Sequence, residues 1–98
     1  MNIRIDPEKS ESLALFEYAD LFTGKRVLEV GCGDGRVTQL IAPHAAFVHA
    51  IDPDTDDIAE AEESFPTELR HKVHFEAVGI EAFSSETRFD AALMSWSL

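Results

Sequence analysis

Val27-Leu28-Glu29-Val30-Gly31-Cys32-Gly33-Asp34-Gly35 decides how this chain is read. Val27 to Val30 have the apolar run of a short buried strand. Glycines then stand at alternate positions, 31, 33 and 35, before a segment that can be helical. Such a run lets a strand turn sharply into a helix and lets the backbone approach a ligand closely. Glu29, two residues ahead of the first glycine, puts a hydrogen-bond acceptor at the carboxyl end of the strand.

Outward from this stretch, strands and helices alternate. Lys25 to Val30 form the first strand. A short helix follows from Asp34 or Gly35 to about Ala42, with Val37, Leu40 and Ile41 inward and Pro43 ending it. Phe47 to Ile51 read as a second strand, Asp52-Pro53-Asp54-Thr55 as a turn, and Asp56 to Phe65 as a helix burying Ile58, Ala61 and Phe65. Val73 to Val78 make a third strand and Ala91 to Ser95 a fourth. Upstream, Asp6 caps and Pro7 opens a helix expected over about residues 7–22, which Thr23-Gly24 stops. Strands apolar on both faces and separated by helices indicate a parallel, doubly wound sheet. Right-handed crossovers place the helices after the first and second strands on one face. Residues 79–89 have room for only a short helix, so the other face is expected to be poorly covered.

Composition narrows the classes. With 98 residues the chain holds at most one domain, and a hydrophobic fraction of 45% is that of a globular protein. No apolar run approaches the ~20 residues of a membrane span, and the first residues lack the apolar core of a secretory signal. One cysteine cannot form an internal disulfide, so a cytoplasmic location is expected. The net charge of −11 repels phosphate backbones and disfavours a nucleic-acid substrate.

The run Glu29-Val30-Gly31-Cys32-Gly33-Asp34-Gly35 resembles the first motif of the class I S-adenosylmethionine-dependent methyltransferases. It departs from the Gly-x-Gly-x-x-Gly of nicotinamide oxidoreductases, because Arg36 holds the site of their third glycine. The resemblance implies S-adenosyl-L-methionine as cofactor, with the backbone of Glu29, Gly31, Cys32 and Gly33 under its methionine part. Asp52 lies 21 residues after Gly31, at the end of the second strand, where a carboxylate can accept bonds from both ribose hydroxyls. The family places its ribose-binding acid here, with Pro53 beside it. Where many members carry an adenine-binding acid this chain has Gly79, leaving Ile80 and Glu81 as the expected adenine contacts. The end of the fourth strand, at Ser95, faces the methyl group and the substrate in the family. Met94-Ser95-Trp96-Ser97 does not match the Asn/Asp-Pro-Pro-aromatic stretch of enzymes that methylate amide or exocyclic base nitrogens. Trp96 suits stacking on a ligand and filling a core equally well.

The family's complete sheet has seven strands in the order 3-2-1-4-5-7-6, in the family's own numbering, and this sequence offers only 3-2-1-4. The chain therefore reads as an incomplete Rossmann-like domain: an amino-terminal helix within residues 1–23 and a cofactor-binding half over 25–98. Its fourth strand would be an exposed apolar edge, and a homodimer or a completing partner chain is expected. The implied activity is methyl transfer to a small-molecule acceptor, with no residue standing out as catalytic. A truncated, non-catalytic module that binds S-adenosyl compounds or a partner is the alternative. Four histidines, His44, His49, His71 and His74, show no metal-ligand spacing, and no metal is expected. Cys32 has no base near it in sequence and reads as a small filler.

Overall fold

A computed structural model describes residues 2–5 and 21–95. Its strands are β1 (Asn2–Ile5), β2 (Arg26–Val30), β3 (Phe47–Asp52), β4 (Val73–Ala77) and β5 (Ala91–Ser95). The helices are α1 (Arg36–Ile41) and α2 (Thr55–Ser64), and single 3-10 segments run over Thr67–Lys72 and Ile80–Ala82. Of the helix expected over residues 7–22, Leu21 and Phe22 lie within the described residues and are helical. The rest of that helix and Trp96 lie outside them.

All pairings are parallel, in the order β1-β5-β2-β3-β4. The four expected strands, β2 to β5, thus keep the order 3-2-1-4. The fifth, β1, corrects one expectation: β5 is not an exposed edge, because Asn2–Ile5 pairs with Ala92–Ser95 along it. A strand whose partner lies some ninety residues away leaves no local mark in the sequence.

Alternation along each strand assigns the two faces. Val27, Val48, Ala50 and Leu93 point at the helices and form the main core with Phe22, Val37, Ile41, Ile58 and Phe65. Both helices lie on this face, as right-handed crossovers require. Within α1 the expected stripe is corrected. Leu40 is 40% exposed, whereas Thr38 is fully buried beside Val37 and Ile41. A helix of six residues presents one narrow face, and here a buried hydrogen bond draws Thr38 into it. In α2, Asp54 supplies the N-cap, accepting from the amides of Asp56 and Asp57 at 2.9 and 3.0 Å.

The second face is less bare than expected. Ile51 on that face is fully buried, and Leu28, Val30, Ala92 and Met94 are half-buried. The segment between β4 and β5 holds only a 3-10 turn, yet it brings Phe83 and Phe89 onto the His49 ring.

Candidate cofactor site

Because the sheet is parallel, the carboxyl ends of β2 to β5 open on one edge. The chain runs from β2 outward through β3 to β4, then returns to place β5 on the other flank of β2. This reversal of strand order leaves a crevice beyond β2 and β5, the usual position of a ligand in an open α/β sheet.

The glycine turn sits at that crevice. Gly31, Gly33 and Gly35 have φ of 81°, 56° and 87°, in the left-handed region where a side chain is strained. The amides of Gly31 and Cys32 donate to the Ile51 carbonyl at 2.9 and 3.1 Å, folding the turn against the end of β3. Gly35 also gives α2 room to pack, since a Cβ there would lie 3.1 Å from that of Ala61.

Asp52 closes the site from the β3 side. Its Oδ2 accepts from the Gly33 amide and its Oδ1 from the Asp54 amide, both at 2.9 Å. Each carboxylate oxygen keeps a second lone pair, and the side chain is half-buried, so a diol can still reach it. Helix capping falls to Asp54, which leaves Asp52 available to a ligand.

Glu29 is in a different situation. It is fully buried, and its oxygens accept from the Thr38 hydroxyl at 2.5 Å and the Ser95 hydroxyl at 2.6 Å. Ser95 Oγ also lies 3.3 Å from the Gly31 carbonyl. Burial pushes the Glu29 pKa up; the two hydroxyl bonds oppose that rise and the Asp52 charge adds to it. Glu29 and Ser95 thus tie β2, α1 and β5 together beneath the glycine turn, with their polar atoms directed at one another. Thr38, the third member, has no counterpart among the expected site residues, because a threonine inside a short apolar helix gives no sign of a buried partner.

Cys32 is buried, with Sγ 3.7 Å from the Gly33 carbonyl. Desolvation raises its pKa, and the charges of Glu29 and Asp52 raise it further, so the thiol is inert at neutral pH. Pro53, Ile80 and Glu81 are all exposed. The last two follow β4, whose final residue Ala77 pairs with Asp52. The expected site residues therefore converge on one edge. Gly31, Gly33 and Asp52 form its floor, Pro53, Ile80 and Glu81 one rim, and Glu29, Cys32 and Ser95 the buried support.

Residues 27–98 match the family described as "Methyltransferase domain". The chain belongs to the S-adenosylmethionine-dependent methyltransferases. Among the relatives of this methyltransferase domain, magnesium-protoporphyrin O-methyltransferase of Rhodobacter capsulatus is 34% identical over 96 residues, covering 98% of this chain and 42% of the relative. Ribosomal RNA small subunit methyltransferase A of Synechococcus sp. (strain CC9311) is 44% identical over 52 residues, covering 52% of this chain and 19% of the relative. The N-methyltransferase NodS from Bradyrhizobium japonicum WM9, solved with S-adenosyl-L-homocysteine, shares the fold. The TM-score is 0.71 at 23% identity, over 90% of this chain and 44% of NodS. The methyltransferase domain described here thus spans less than half the length of each of these proteins. No helix among the described residues is long and apolar enough to cross a membrane.

Proposed function

We propose that this chain binds S-adenosyl-L-methionine at the carboxyl edge of β2 and β3 and serves methyl transfer to a small-molecule acceptor. The observation that carries the reading is the left-handed glycine turn held by Asp52, whose carboxylate retains free lone pairs at the topological switch point. Its backbone would hold the methionine part, Asp52 the ribose, and Ile80 with Glu81 the adenine side. When bound, the cofactor supplies an activated methyl group on a sulfonium. The residues of this chain bind and orient it and exclude water, so that alignment with the acceptor does most of the catalytic work. Of the acidic groups that support the turn, Glu29 and Cys32 are buried and Asp52 is engaged by two amides.

A small acceptor is favoured over nucleic acid by the charge of −11, which repels a phosphate backbone. The Rhodobacter relative, named for a porphyrin substrate, supports that choice, and the ribosomal RNA relative supports the other. Since the chain spans under half of those relatives, acceptor binding would draw on further segments or a partner chain, a second copy included. A binding module without turnover is the second reading, and the same share of length favours it. Calorimetric titration with S-adenosylmethionine, S-adenosylhomocysteine and NAD tests the reading. Binding of either S-adenosyl compound in preference to NAD is expected; tight NAD binding with no response to them would overturn it.

A further inference from the structure

We propose that His49, His74 and Glu76 form a site for one divalent transition-metal ion of the zinc type, on the sheet face opposite the helices. The parallel register sets His49 of β3 beside His74 of β4, and Ile51 beside Glu76. The two β4 residues are two apart, so their side chains leave the same face as that of His49. One ligand atom from each of the three lies within 4.8 Å of the other two. His49 Nε2 and Glu76 Oε1 are already 2.9 Å apart.

Two imidazoles and a carboxylate are a donor set that suits zinc and its first-row neighbours. A tetrahedral ion at about 2.0–2.2 Å from each donor needs donors about 3.3 Å apart. The His49–Glu76 pair meets that need with a small opening. His74 must close by roughly 1.5 Å, a movement within the rotamer freedom of an exposed side chain. On loading, the Nε2 proton that His49 shares with Glu76 passes to Nδ1, which leaves the Nε2 lone pair for the ion.

The surroundings fix one donor and leave the others adjustable. The Phe83 ring stands edge-on to His49 with centroids 5.0 Å apart, and Phe89 lies at 6.0 Å. These contacts hold the imidazole plane, while His74 and Glu76 face solvent and leave room for a water as fourth ligand. The overall charge of −11 favours a cation anywhere on this surface. The site is separate from the cofactor edge: His49 stands three residues before Asp52 and faces away from Glu29. An ion there would clamp the edge strand β4 to β3 beneath the segment that carries Phe83 and Phe89.

The test is titration of the chelator-stripped 98-residue chain with Zn2+ by calorimetry and with Co2+ by visible absorption, for the wild type and for His74→Ala, Glu76→Gln, His44→Ala and His71→Ala. One ion per chain is expected, with the Co2+ d–d bands of a nitrogen–oxygen site. His74→Ala and Glu76→Gln should each weaken binding by more than about 10-fold. Zn2+ should raise the melting temperature of the wild type and leave that of His74→Ala at its own metal-free value. Binding weaker than roughly 100 µM in the wild type would overturn the proposal. So would equal affinity in His74→Ala, or affinity lost instead in His44→Ala or His71→Ala.

Discussion

Replacing Glu29 by Gln and by Ala should give costs of different size, and the buried network explains both. In the wild type the two Glu29 oxygens accept from Thr38 and Ser95, whose exposures are 0% and 3%. A Gln of the same shape keeps one oxygen for Thr38 and turns its amide toward Ser95. Ser95 then accepts and redirects its own proton to the Gly31 carbonyl, 3.3 Å away. Only the second amide hydrogen is left without a partner, so below pH 4.5 Glu29→Gln should cost no more than about 1–3 kcal/mol. Ala removes the acceptor from both hydroxyls at once. At about 1–3 kcal/mol for each buried group left unpaired, the cost is about 2–6 kcal/mol, a large share of a small domain's stability.

The pH dependence has a definite sign. Burial raises the Glu29 pKa above its ordinary 4.5, so the unfolded chain loses this proton first as pH rises. The contribution of Glu29 to stability is complete below pH 4.5 and is lost as pH climbs through the raised native value. Between the unfolded and native values the loss is about 1.4 kcal/mol for every unit of pH. Gln has no such proton. Urea unfolding of both proteins across about pH 4–8 should therefore show Glu29→Gln gaining on the wild type as pH rises. A gap moving in the wild type's favour over that range would refute the buried-carboxylate argument. An Ala variant as stable as Gln would refute the network.

Asp52→Ala should weaken S-adenosylhomocysteine binding by about 1.5–3 kcal/mol, roughly 10- to 150-fold by calorimetry. It should also lower the melting temperature without ligand, because the Gly33 and Asp54 amides lose their acceptor. Asp54→Ala removes the α2 cap and should cost about 1 kcal/mol in denaturant unfolding while leaving cofactor affinity within about twofold. Cys32 in the folded chain should resist iodoacetamide at about pH 8 and react fully in denaturant, as mass spectrometry would show; rapid native labelling would contradict its burial.

What the sequence made legible follows from distance along the chain. The strand–glycine–helix turn, the apolar β3 and the turn from Asp52 to Thr55 are local patterns, and each is readable where it stands. Asp52 is legible because the parallel fold repeats a fixed spacing from the glycine turn to the end of the next strand. Three features are not. β1 is short, and its pairing with β5 spans nearly the whole chain. Thr38 faces inward only because Glu29, on another element, offers a buried acceptor. His49 and His74 stand 25 positions apart in sequence, and only the β3–β4 register makes them neighbours. The helix periodicity misassigns Leu40 for a related reason, since one and a half turns cannot define a stripe without the sheet beneath it.

The most direct test of the account is amide mapping by nitrogen-15 NMR as S-adenosylhomocysteine is added. The account predicts shifts concentrated at Gly31, Gly33, Gly35, Asp54, Ile80 and Glu81, the residues around the open edge of β2 to β4, with Glu62 to Arg70 unmoved. Saturating addition that leaves the amides of Gly31 to Gly35 unshifted would contradict it.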